Sequence, residues 1–133
     1  GALGVIDPKT LVLSEIASID YAWGELTGTG NGRLFAFQGD APPHISEYDK
    51  TTGAVLGTWP LPGLENPDAF AFAYWGGDFY LFMTRAEDFG TGNSRVIHVD
   101  FDESEGDGKA ITTIVEDAPI RIVGAGVSTC APQ

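Results

Sequence analysis

Gly30-Asn31-Gly32-Arg33-Leu34-Phe35-Ala36-Phe37 and Gly76-Gly77-Asp78-Phe79-Tyr80-Leu81-Phe82 are the stretches whose reading decides the fold of this 133-residue chain. In each, a glycine turn opens onto a short apolar run, and Gly77 follows Gly32 at a distance of forty-five residues. Asn-Gly and Gly-Gly accept positive φ at little cost, which makes them tight-hairpin signals. A second element recurs at Ile6-Asp7-Pro8-Lys9-Thr10, Tyr48-Asp49-Lys50-Thr51-Thr52-Gly53 and Val99-Asp100-Phe101-Asp102-Glu103-Ser104. There a strand delivers an aspartate to a turn, where Asp and Thr side chains can satisfy local backbone donors. Working outward, apolar residues alternate or form short runs between Gly, Pro, Asn and Asp, the signature of strands. Strands are predicted near 3–6, 11–17, 23–27, 33–37, 44–48, 54–60, 69–75, 78–84, 95–101, 110–115 and 120–128. Val12 to Tyr21 is the best helical window, and Ser14 and Ser18 spoil its stripe.

Four strands per forty-odd residues, with one tight hairpin and one Asp-led turn in each unit, is the pattern of a β-propeller blade. On this reading the chain is all-β. Residues 1–17 form the last two strands of a preceding blade, 18–63 a complete blade, 64–119 a complete blade with longer loops, and 120–133 a closing inner strand and tail. Two blades and two pieces cannot close a ring, because each blade buries its faces against two neighbours. The expected partners are therefore N-terminal blades outside this chain or a second subunit. The alternative is a small β-sandwich built from the same strands.

The segments Leu3–Leu11, Gly24–Phe35, Tyr48–Gly53, Phe70–Phe82 and Arg121–Pro132 together resemble the C-terminal part of bacterial secreted or lipoprotein-type β-propeller proteins. The resemblance samples nearly the whole chain and implies an exported protein, located extracellularly, in the periplasm or on the outer cell surface. It brings no catalytic motif, substrate or reaction with it.

Nineteen acidic against seven basic residues give a net charge of -12, which argues against nucleic acid and anionic membrane as partners. No run approaches the eighteen apolar residues of a membrane span. With three lysines and many Thr-bearing turns, the composition agrees with export. The chain opens at Gly1 without an initiator methionine, and removal of upstream sequence is expected. Cys130 is the single cysteine. It reads either as a lone buried thiol or as half of a disulfide to sequence outside the chain.

Chemistry-bearing motifs are sparse. Asp100, Asp102, Glu103, Glu105 and Asp107 crowd one loop, and its Asp-x-Asp-x-Ser opening partly resembles a calcium loop. Glu105 stands where such a loop needs Gly, and Ile111 where it needs a bidentate Glu, so a solvated hairpin competes with calcium as the reading. No other cofactor is implied. His44 and His98 lack the companions of a zinc motif, and each reads as a surface or lightly packed residue. No serine sits in a Gly-x-Ser-x-Gly elbow. Gly28-Thr29-Gly30-Asn31-Gly32 enters a strand, whereas a phosphate cradle needs a helix start.

Aromatic residues beside carboxylates are the remaining lead. Tyr21, Trp23, Glu25 and Asp68 could flank a ring mouth and take a glycan or protein ligand, with core packing as the plain alternative for the Phe70, Phe72, Tyr74 ladder. Phe89, in a longer loop, is a candidate partner contact. The function expected is a non-enzymatic binding or assembly module. A fragment of a hydrolase or lyase and a calcium-stabilised structural domain are the alternatives.

Overall fold

The computed structural model describes residues 1–20, 23–85, 92–101, 110–128, 130 and 132. Among them are ten strands and no helix: β1 (Ala2–Ile6), β2 (Leu13–Ser18), β3 (Gly24–Gly28), β4 (Leu34–Gln38), β5 (His44–Tyr48), β6 (Val55–Pro60), β7 (Pro67–Trp75), β8 (Asp78–Arg85), β9 (Arg95–Asp100) and β10 (Ala110–Val115). They form three antiparallel sheets. β1 and β2 pair alone, β3 to β6 make a four-stranded meander, and β7 to β10 make a second one. The sheets do not close into a ring.

Strand alternation assigns the faces. Phe35 and Phe37 of β4 and Ile45 of β5 turn toward the second meander, where they meet Phe70, Phe72 and Tyr74 of β7, Phe79 and Leu81 of β8, and Ile97 and Val99 of β9. Each such side chain stabilises the fold by about 1.5–3 kcal/mol when fully buried. The opposite face of the first meander presents Leu34, Ala36 and Tyr48 to Leu3, Ile16 and Ile19 from the β1–β2 side. The first meander is therefore the middle layer of a stack. β3 and β7, the leading strands of the two meanders, lie against each other.

The turns repeat as their sequences do. Asp7 Oδ1 accepts the N–H groups of Lys9 (2.7 Å) and Thr10 (3.0 Å), and Asp49 Oδ1 accepts those of Thr51 (2.7 Å) and Thr52 (3.0 Å). In both turns the backbone N–H four residues on returns to the aspartate carbonyl, from Leu11 in one and Gly53 in the other. That residue has positive φ in both cases, 57° at Leu11 and 73° at Gly53. The third turn of the series, after Asp100, lies outside the described residues.

These hydrogen bonds set a pH dependence. The Thr51 hydroxyl and N–H hold the Asp49 carboxyl below its ordinary value, and the backbone N–H groups of Thr10 and Lys9 do the same for Asp7. A carboxyl depressed in the folded state contributes stability that is complete above its unfolded pKa, about 3.9. That contribution is lost as pH falls through the folded value. Asp49→Asn keeps an acceptor oxygen but cannot titrate, so melting followed from neutral to strongly acidic pH should show a shallower acid limb. An acid limb identical to that of the unsubstituted chain would refute this role.

The segment 120–128 departs from expectation. It forms no strand but an irregular strap. Ser94 ties its start: Ile122 N–H donates to Ser94 Oγ (2.7 Å) and Ser94 N–H donates to the Ile120 carbonyl (3.1 Å). Near its far end Gly76 N–H donates to the Pro132 carbonyl (3.0 Å). Between these ties the strap crosses the outer face of the second meander, over Ala73, Trp75, Tyr80 and Phe82, and joins neither edge. Gly124 and Gly126 weaken strand formation there, since glycine brings no side chain to pack and more entropy to lose.

Candidate functional site

The residues singled out from sequence do not gather into one described site. Tyr21, Phe89, Asp102, Glu103, Glu105 and Asp107 lie outside the described residues, and so does the side chain of Asp68, whose backbone runs in β7. Asp100 ends β9 and is exposed. Among the described residues no group of three or more His, Cys, Asp or Glu is placed to hold a metal ion. Cys130 is exposed, which corrects the expectation of a lone buried thiol. No helix among the described residues is long and apolar enough to cross a membrane.

Trp23 and Glu25 sit where the two meanders meet. Trp23 leads into β3 and packs its ring on Phe70 at 5.1 Å between centroids while remaining 48% exposed. Phe70, Phe72 and Tyr74 belong to the core, as the packing alternative had it. Glu25 pairs with Phe37 across the β3–β4 ladder, and burial pushes its carboxyl above the ordinary value. A raised carboxyl binds its proton more tightly when folded, so stability falls as pH rises from the unfolded toward the folded pKa. Glu25→Gln should therefore raise the melting temperature at neutral pH, and the gain should vanish in acid. A lower melting temperature at neutral pH would show that the ionised carboxylate is held by favourable contacts.

A polar pocket that the sequence did not reveal lies on the other face of the first meander. β4, β5 and β6 present Gln38, His44, Ser46, Tyr48, Val55 and Thr58 on one side, and Asp20 and Asp40 complete a pocket of about 220 Å³. Leu34, Ala36 and Tyr48 are covered from the β1–β2 side, and the pocket opens where that apolar contact stops. Gln38 Nε2 donates to the Asp20 carbonyl (3.1 Å), Ser46 Oγ donates to Gln38 Oε1 (3.4 Å), and the Ser46 and Thr58 hydroxyls lie 3.1 Å apart. Burial, and then the Asp20 charge, push the Tyr48 phenol upward. The legible signal was the i, i+2, i+4 series His44, Ser46, Tyr48 on the strand face opposite Ile45 and Glu47.

The outer face of the second meander carries a different site. The strap and the sheet enclose an open apolar pocket of about 480 Å³, walled by Trp75, Tyr80 and Phe82 below and Ile122 and Val127 above. Asp78 and His98 lie on the same face, with Asp78 Oδ2 2.9 Å from His98 Nε2. Asp78 Oδ1 accepts the Phe101 N–H (3.1 Å), and the His98 ring lies 5.2 Å from that of Tyr80. His98 is thus a partnered residue, and the pair clamps the start of β8 to the end of β9. Compared with protein-family models, with curated proteins and with solved structures, the chain finds no match.

Proposed function

We propose that the chain is a module of β-propeller blades that works by binding and assembly rather than by catalysis. The observation that supports this most is the order of the sheets. Two four-stranded meanders follow each other in sequence, pack face to face, and set their leading strands β3 and β7 side by side. Blades around a propeller axis are arranged in this way.

The two ends of the stack are open and unlike. At one end the β1–β2 pair has, among the described residues, two free edges and exposes Val5, Ile6, Val12 and Leu13. At the other lies the strap, which is in no ladder among the described residues and which exposes Ile120 and Val123. Free edges and apolar surface of this kind favour pairing with another chain. In this reading a second copy covers both ends, the strap of each copy lying against the strand pair of the other. Two copies supply four meanders and two strand pairs, within the roughly four to eight blades of closed propellers. The contact is isologous: two-fold rotation makes the strap-to-strand-pair contact twice and closes the assembly.

Trp23 and Glu25 stand at the junction of β3 and β7, which this reading makes the mouth of the ring, the position for a glycan or protein ligand. The clamp role of Asp78 and His98 favours binding over catalysis. An exported location fits the acidic composition and the three lysines. Leu13→Lys and Val123→Lys test the assembly, because each places a charge on one open end without touching the buried core. Each alone should convert the complex to monomer in sedimentation velocity. Association unchanged by both would remove the reading.

A further inference from the structure

We infer that the polar pocket over β4, β5 and β6 is a binding site for a primary ammonium group on a short alkyl stem. The pocket lies within one chain, so the inference goes beyond the assembly reading and does not depend on it.

Its chemistry is that of an acceptor-rich cup. Asp20 and Asp40 supply two carboxylates, and among the described residues no lysine or arginine lines the space. The whole chain carries a net charge of -12, so the surrounding field also favours a cation. His44 Nδ1 lies 3.0 Å from the Pro42 carbonyl oxygen. A carbonyl can only accept, so Nδ1 carries the proton, and in the neutral ring Nε2 is left as an acceptor.

The floor is buried and polar. Gln38 is 7% and Ser46 2% exposed. The Ser46–Gln38 hydrogen bond is long at 3.4 Å, beyond the ordinary range for a hydroxyl donor. The Gln38 carbonyl oxygen has two lone pairs and receives only that long bond, which leaves it capacity for a donor brought by a ligand. An ammonium brings three donors and no acceptor, the complement of this lining. A carboxylate or phosphate would meet repulsion, and an alcohol offers one donor without charge. The volume of about 220 Å³ is below that of drug-sized sites and suits a head group with a few methylenes, for which Val55 offers an apolar wall.

The probes are pentylammonium, 1-pentanol, and lysine blocked at both its amino and carboxyl ends, each titrated into the whole 133-residue chain and followed by backbone amide NMR. Pentylammonium should shift the amides of Gln38, His44, Ser46 and Thr58 saturably, and pentanol should not at the same concentrations. Blocked lysine binding more tightly than pentylammonium would point to a peptide side chain as the source, and weaker binding to a free amine. Asp40→Asn should weaken pentylammonium by about tenfold, the order expected for one charge-assisted hydrogen bond. Asp100→Asn, which alters net charge equally but lies outside the pocket, should leave the affinity unchanged. Equal shifts with pentanol, or equal affinities in the Asp40→Asn and unsubstituted chains, would overturn the inference.

Discussion

Replacing Phe35 with alanine is expected to destabilise the chain by about 3–5 kcal/mol, the range for deleting a fully buried phenylalanine ring. Phe35 is 1% exposed and sits between the two meanders. Its ring meets Phe79 at 4.9 Å and Phe101 at 5.6 Å, both edge-on, and stacks toward Tyr74 at 6.4 Å. The loss therefore combines a cavity with three aromatic contacts contributed by the neighbouring sheet. A domain of this size has about 5–15 kcal/mol of stability in all, so the variant should melt far earlier or unfold outright. Phe35→Leu fills most of the space and should cost well under half as much. Urea unfolding of the pair provides the check. An alanine cost below about 1 kcal/mol would mean that the two sheets are not packed through this residue.

Gly53→Ala should cost about 2–4 kcal/mol, the sum of two separate terms. Gly53 has φ of +73°, a left-handed conformation that a Cβ disfavours. A Cβ there would also stand 2.7 Å from the Ala17 Cβ and 3.1 Å from Ile19 Cγ2, so the β1–β2 side would have to shift. Gly63 separates the terms. Its φ is +84° and an added Cβ would meet nothing within 4 Å, so Gly63→Ala should cost only the backbone term, about 1–2 kcal/mol. Thermal melting of both variants reads the difference. Equal costs would show that β1–β2 does not seat against the Asp49 turn.

The ten strands were legible because hydrophobic alternation and glycine turns act locally, and each strand needs only its own residues to declare itself. His44–Tyr48 and Ala110–Val115 coincide with β5 and β10, and the other boundaries move by a residue or two. Pairing within the first meander and of β7 with β8 followed from the short turns, since a hairpin leaves little choice of neighbour. The strap at 120–128 was misread because apolar spacing reports how a segment could pack, not whether an edge awaits it. Gly124 and Gly126 were the contrary signal. The Asp78–His98 pair is invisible to motif reading, as its partners stand twenty residues apart in sequence and meet only through the Tyr80↔His98 register. Asp20, Gln38, His44, Ser46 and Thr58 were missed for the same reason: their chemistry exists only after three strands and a connecting segment align. Leu11 shows a local rule overridden. It occupies the left-handed position that Gly53 fills in the sister turn, held there by its N–H bond to the Asp7 carbonyl.

The central claim, that the blade-like stack is completed at its two open ends by a second copy, is tested most directly by sedimentation equilibrium of the unsubstituted chain at micromolar concentration. A single discrete complex with the mass of two chains, stable to dilution through that range, is the expected result. A cooperatively folded monomer at every concentration, with the amides of β1, β2 and the strap all protected from hydrogen exchange, would contradict it.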